Sequence, residues 1–401
     1  MKITLFLTAA TATVIHAGTP APVVVESPPE VQWLVPTLDA RLRYEFSDVE
    51  GFQNSNALTM RLRPGFKTSE WNGFSAFAEG EFTGAIIDDY NGGAPGVHPF
   101  DPAKSIVADP QNAELNRAFL KYHGYDTTIV AGRQRIIYNN SAFVGNVGWR
   151  QNEQTYDAAS IGYEADCGFK ASYAWVGQVN RIFGAQANGV LSSVDSNVHL
   201  INATYSGCED VTLGGYVYLM DFQDAAVNGW DNNTYGIFID TPLGGLQTHA
   251  EFAVQSEAGP LNDKEALYFH VNASKSIRGI TLMGGVEQLD DGFQTPLATL
   301  HAMNGFADTT NKLRAAGITG GLTDSYFSVT APLPWNLKWK NVAHFFGDNS
   351  VGTDFGFGWD SLLVKKFNDH FSATAMLGYF DSNDARYLSA TKATIQLDYT
   401  F

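Results

Sequence analysis

The last residues of the chain, Ala393 to Phe401, alternate without a break: Ile395, Leu397, Tyr399 and Phe401 on one face, Thr394, Gln396, Asp398 and Thr400 on the other. A period of two sustained over about nine residues excludes a helix and matches the length of a tilted membrane-spanning β-strand. The pattern recurs near the other end. Leu38, Ala40, Leu42, Tyr44 and Phe46 alternate with Asp39, Arg41, Arg43 and Glu45, and Leu58, Met60 and Leu62 with Thr59, Arg61 and Arg63. An arginine facing lipid at mid-bilayer costs roughly 2–4 kcal/mol, so these four arginines are expected to face a lumen. A soluble sandwich built from such strands would have either a charged core or a greasy exterior, and a barrel turned inside out removes the conflict.

Segments of this kind, each about ten residues long, continue from Gly73 to Phe401, with Thr127 to Ile136 and Trp335 to Phe346 among them. They number about eighteen, an even count as bacterial single-chain barrels require. The connections alternate between short links, such as His123–Asp126, Pro242–Gly245 and Ser276–Gly279, and long ones, above all Ile86–Glu114 and Leu289–Asp324. Short periplasmic turns and long outer loops are the membrane-barrel rule. The fold class expected is therefore all-β, a transmembrane antiparallel up-and-down barrel of about 18 strands.

Met1, Lys2 and the apolar stretch Ile3 to Val14, followed by Ala17 and Gly18, read as a signal peptide over residues 1–17. A Pro-rich lead over 18–36 is expected to lie in the periplasm, with the barrel occupying 37–401. The composition suits one aromatic-rich β unit: 39 Gly, 27 Phe and 17 Tyr in a chain only 17% charged. Mean hydropathy is −0.13, as a barrel that gives lipid only half of each strand would show. The two cysteines, Cys167 and Cys208, flank a hairpin on the short-turn side. Two strand spacings, about 10 Å, exceed the disulfide limit of about 7 Å, so a bond there requires the turns to lean together.

Basic residues concentrate on the expected inner faces: Arg41, Arg43, Arg61, Arg63, Arg117, Lys121, Arg133, Arg135, Arg150, Lys170, Lys338 and Lys340. Arg133 and Arg135 are two apart, which on a strand puts both on one side. Glu79 and Glu81 neighbour Arg61 and Arg63 and are expected to neutralise part of the ladder. The rest would form a cationic track attracting anions. The net charge of −17 resides mostly in connections, among them Asp88, Asp89, Asp101, Asp109, Asp290 and Asp291. Such acids could hold a divalent cation, but no twelve-residue calcium loop is present, and solvated loop acids are the expectation. No cofactor motif and no nucleic-acid module is found.

Four stretches resemble the alginate-export porins of Gram-negative outer membranes: Gly132–Arg135, Phe143–Asp157, Val179–Gly184 and Phe293–Gly305. The resemblance implies an eighteen-stranded barrel with an arginine-lined constriction passing an anionic polyuronate. Arg133, Arg135 and Arg150 carry over as pore residues, with Asp157 and Asn152 to Gln154 beside them. The chain departs from the exporters in length and in the short link Lys366–His370, where they carry an extended turn. The function expected is an outer-membrane channel for anionic solutes or an anionic polysaccharide, with outer-membrane lipid, lipopolysaccharide and the barrel assembly machinery as partners. The alternative is a general diffusion porin. An outer-membrane hydrolase would use His199, His249, His270 or His344, but no Ser/His/Asp motif accompanies them, and a structural or adhesive barrel would lack conductance.

Overall fold

The computed structural model describes residues 33–208, 210–259, 261–308, 318–349 and 352–401. The expected signal peptide lies outside the described residues. Eighteen strands follow in order: β1 (Leu34–Val49), β2 (Ser55–Thr68), β3 (Phe74–Asp89), β4 (Asn112–Gly124), β5 (Thr127–Gln134), β6 (Thr155–Glu164), β7 (Phe169–Asn180), β8 (Ser193–Cys208) and β9 (Val211–Met220). The second half comprises β10 (Asn232–Leu243), β11 (Leu246–Ala258), β12 (Lys264–Ile277), β13 (Ile280–Leu289), β14 (Leu322–Leu333), β15 (Leu337–Gly347), β16 (Asp354–Lys366), β17 (Phe371–Ser382) and β18 (Ala390–Thr400). Each strand pairs antiparallel with its sequence neighbours, and β1 pairs with β18. The ring is closed, so no edge is left with unpaired backbone groups.

The register follows the two-residue alternation. Arg41 stands opposite Asp398 on one side and Arg61 on the other, all facing inward, while the next pair, Leu42 with Leu397 and Met60, faces out. The outer face carries exposed apolar side chains on every wall, including Leu62, Leu120, Ile237, Phe269, Phe345 and Ile395. Burying that band in lipid rather than water is what the alternation is for. The chain's start departs slightly from expectation. Leu34, Val35 and Pro36 already pair with Thr68, Lys67 and Phe66, inside the stretch read as a lead.

Turn chemistry sets which end of the barrel is tight. The β4–β5 link is Tyr125-Asp126 with φ of 52° and 57°, and the β10–β11 link is Gly244-Gly245 with φ of 61° and 78°. Positive φ at both central residues is the turn whose twist matches paired strands. Trp335, expected inside a strand, instead sits with Asn336 in the β14–β15 turn at φ of 63° and 59°, and β15 begins at Leu337. The long connections lie at the opposite end, and several fold into the barrel. Their core is there too: Phe143 of the β5–β6 connection packs on Tyr216, Tyr268 and Phe293 at ring-centroid distances of 5.3, 5.0 and 5.9 Å.

Candidate functional site in the barrel lumen

The β5–β6 connection, residues 135–154, forms a strap across the lumen. Phe143 anchors one part of it against β9 and β12, and residues 148–151 lie against β1 and β2, on the far side of the ring. A backbone segment inside a barrel needs donors for its carbonyls, and the arginines provide them. Arg41 Nη1 donates to the carbonyls of Gly148, Trp149 and Arg150 at 3.1, 3.0 and 3.2 Å. Arg43 donates to the Trp149 carbonyl and stacks over the Trp149 ring at 4.1 Å. Arg61 and Arg63 reach the Gln151 carbonyl at 3.5 and 3.1 Å. The strap is also tied to the β13–β14 connection: Gly145 N–H donates to the Leu297 carbonyl at 2.9 Å, and Val147 N–H to Thr299 Oγ1 at 2.9 Å.

The same arginines are neutralised. Arg41 pairs with Asp398 at 2.7 Å, Arg43 with Asp109 at 3.0 Å, Arg61 with Asp39, Arg63 with Glu81 at 2.5 Å, and Arg117 with Glu79 through two bonds of 3.0 Å. Arg135 pairs with Glu153 at 2.6 Å. Arg150 reaches Glu45 at 3.1 Å and Asp308 at 2.7 Å. The expected self-neutralisation is therefore more extensive than Glu79 and Glu81 alone would give. Asp109, expected as a solvated loop acid, is fully buried under Arg43. Arg43, Arg61, Arg63 and Arg150 have side-chain exposures of 0, 1, 3 and 7%, against 13, 19 and 29% for Arg41, Arg117 and Arg135. Arg41, Arg43, Arg61 and Arg63 grip the strap's carbonyls and Arg135 and Arg150 belong to it, while the three more exposed arginines border the lumen.

Arg133 requires a correction. The register places it opposite Ala118 and Asp157, on the face that carries Leu120, Ala131, Ile129 and Ile161, which is the outer face. There it makes two bonds of 2.7 and 2.9 Å to Asp157, so neither residue lines the pore. Arg133 and Arg135 do not share a strand face either, because β5 ends at Gln134 and Arg135 turns inward with the strap. Among lysines, Lys121, Lys338 and Lys340 alternate onto the inner face near the tight-turn end. Among the described residues they make no ion pair, whereas Lys170 pairs with the exposed Glu164 at 2.9 Å.

Sequence reasoning missed Trp149, Gln151 and Asp308, and had Glu153 only as one of the polar group Asn152 to Gln154 beside the pore, since a loop has no periodicity to show where it folds. It also missed Arg181, which follows β7, stacks over Trp230 at 4.8 Å and forms no ion pair among the described residues. Burial lowers Arg181 to about 10, so it stays cationic at neutral pH. Within the strap, burial would raise the Glu153 carboxyl, but Arg63 and Arg135 outweigh it and hold the group at about 2. For Asp109, burial is likewise overcome by Arg43 and Arg150, which lower it. Asp308 is held well below the carboxylate range by His301, Lys392 and Arg150 against burial. The carboxylates of Glu153, Asp109 and Asp308 are thus ionised at physiological pH.

The four histidines a hydrolase would use do not gather in one place. His199 lies 2.9 Å from Tyr173 on the outer face, and His344 lies between Asp324 at 2.9 Å and Asp360 at 3.5 Å. His249 and His270 are neighbours on the inner wall. Cys167 is an exposed free thiol, and the side chain of Cys208 lies outside the described residues.

No protein-family model matches the sequence, and no curated protein matches it. Solved structures do. OccAB3 of Acinetobacter baumannii is 12% identical, covers 92% of this chain and 99% of its own, and superposes with a TM-score of 0.70. OccK9 (OpdG) of Pseudomonas aeruginosa is 13% identical over 92% of this chain and 99% of its own, with a TM-score of 0.68. OpdK of Pseudomonas aeruginosa, solved with vanillate, is 12% identical over 91% and 98%, with a TM-score of 0.67. The chain is a closed eighteen-stranded barrel of the outer-membrane porin architecture. At these identities the likeness establishes architecture, and the structures named are Occ and Opd proteins rather than alginate exporters.

Proposed function

We propose that this chain is an outer-membrane channel for small anionic solutes, with organic carboxylates as the substrate class. The observation that carries the reading is the strap. Arg41, Arg43, Arg61 and Arg63 of the wall, with the ion-paired Arg135 and Arg150 of the loop itself, hold that loop across the lumen, which narrows the path to a gap bordered by Arg41, Arg117 and Arg135. Their donors not taken by carboxylates or carbonyls are preorganised for a planar anion. Lys121, Lys338 and Lys340 extend positive charge toward the tight-turn end, and Arg181 does so at the other. The vanillate held by OpdK is an aromatic carboxylate, which supports this class for a barrel of the same architecture.

Export of a polyuronate is the second reading, favoured by the alginate-exporter-like run Phe143–Asp157. Most of that run lies in the strap, and its crossing of the lumen speaks for monomeric solutes over a polymer. Liposome swelling tests the choice. Entry of sodium benzoate faster than glucose is the expected result. Equal rates for both would leave a general diffusion porin, and no swelling with either would leave a structural barrel.

A further inference from the structure

On the lumen wall opposite the arginines, β11 and β12 carry His249, Glu251 and His270. Glu251 stands directly across from His270 in the register, and His249, two residues from Glu251, stands across from Asn272. Residues two apart on one strand share a face, so all three side chains emerge together. Their donor atoms lie within 4.8 Å of one another. The rings of His249 and His270 are 5.2 Å apart.

Each of the three is gripped from behind. His249 Nδ1 lies 2.8 Å from Asp240 Oδ1, the Tyr216 hydroxyl donates to Glu251 Oε1 at 2.8 Å, and His270 Nε2 lies 2.9 Å from the Tyr326 hydroxyl. These contacts engage the far atom of each group. His249 Nε2 and Glu251 Oε2 then face each other at 3.5 Å, and His270 presents its other nitrogen, Nδ1. His249 Nε2 is buried without a hydrogen-bond partner. A carboxylate behind a histidine, fixing its tautomer and ring orientation, is the arrangement that prepares an imidazole to bind metal.

We propose that His249, Glu251 and His270 bind a first-row divalent metal ion, Zn²⁺ by donor type, on the inner wall of the barrel. Two imidazoles and one carboxylate are a zinc donor set that leaves a fourth position open. That position faces a cavity of about 550 Å³ also lined by Asn139, Asn140, Phe238 and Asn272. Donors around a tetrahedral ion sit about 3.3 Å apart, so closing from 4.8 Å takes a small rotation of the side chains. The bound ion would place a positive charge on the otherwise acidic wall of the lumen and offer its open position to a carboxylate or to water. Asp240, Tyr216 and Tyr326 act as positioning residues.

Calorimetric titration of the full-length, detergent-folded barrel with Zn²⁺ tests this, alongside the visible spectrum with Co²⁺. One ion per chain and intense tetrahedral cobalt bands are expected. His249→Gln and His270→Gln should each weaken binding by roughly tenfold or more and Asp240→Asn by roughly tenfold, as loss of a supporting partner does, while His199→Gln leaves it unchanged. Heat-modifiable gel mobility confirms that each variant is folded. Wild-type protein taking up no stoichiometric ion overturns the proposal, as does folded His249→Gln/His270→Gln protein binding as tightly as wild type.

Discussion

The Arg43 guanidinium lies 4.1 Å above the Trp149 ring and donates to the carbonyl of that same residue. A second arm reaches Asp109 of the β3–β4 connection at 3.0 Å. One side chain of the wall thus joins two inward loops, and none of its surface is left exposed. Cation–π stacking is worth about 2 kcal/mol or more when desolvated, and the buried pair adds a penalty for removing either partner.

Arg43→Ala should therefore release the strap. Removing one member of a buried pair costs about 3–5 kcal/mol, and here Asp109 would be left uncompensated. The expected outcome is a clear rise in single-channel conductance together with unfolding of the barrel at a lower temperature on semi-native gels. Conductance equal to wild type would show that the strap does not limit the pore.

Glu153 gives the strap its pH dependence. Its folded value, about 2, is below the ordinary 4.5, so its contribution is fully present above about 4.5 and is lost as pH falls toward 2. Conductance should stay flat from neutral pH down to the ordinary glutamate range and rise only below it. Glu153→Gln leaves Arg63 and Arg135 less compensated, and the reversal potential in asymmetric KCl should move toward anions at neutral pH. An unmoved potential in this variant would place Glu153 outside the permeation path.

Selectivity should follow the lysines and not Arg133. Arg133→Glu, on the outer face beside Asp157, is expected to keep wild-type selectivity, as is Lys275→Glu, whose position alternates outward with Leu267 and Phe269. Lys338→Glu combined with Lys340→Glu should shift the reversal potential toward cations. The shift should shrink at high salt, where the Debye length is about 3 Å at 1 M. A shift of equal size from Arg133→Glu would contradict the register given for β5.

Barrel closure should depend on Phe401. Its N–H donates to the Leu38 carbonyl at 2.8 Å and its carbonyl accepts from Leu38 N–H at 3.1 Å, the last rung between first and last strands. Deleting Phe401 should lower the yield of folded barrel well below that of Tyr125→Ser, a change at a turn residue that is 92% exposed. Comparable yields would mean that the remaining β1–β18 rungs suffice.

The candidate site was legible in part. Arg41, Arg43, Arg61 and Arg63 stood out because a central arginine cannot face lipid, and their lumen side follows from that energy alone. Their partners were harder to see. Asp398 lies opposite Arg41 only because the ring closes, a contact 357 positions apart along the chain. Asp109, Glu153 and Asp308 belong to connections without periodicity. Arg133 misled because Arg-x-Arg suggests a shared strand face, and β5 stops between the two arginines.

What the sequence by itself determined is the strand set, the identity of the lipid face and the closed antiparallel ring, since alternation, short turns and the cost of charge in lipid act locally and point one way. What only the tertiary structure decided is the interior. Whether an arginine attracts a passing anion or ties down a carbonyl depends on which loop folds onto it, as Arg43 and Trp149 illustrate. Likewise, His249, Glu251 and His270 converge only through the pairing of β11 with β12. Burial and pairing are properties of distance in space, and the alternation of a single strand carries no record of them.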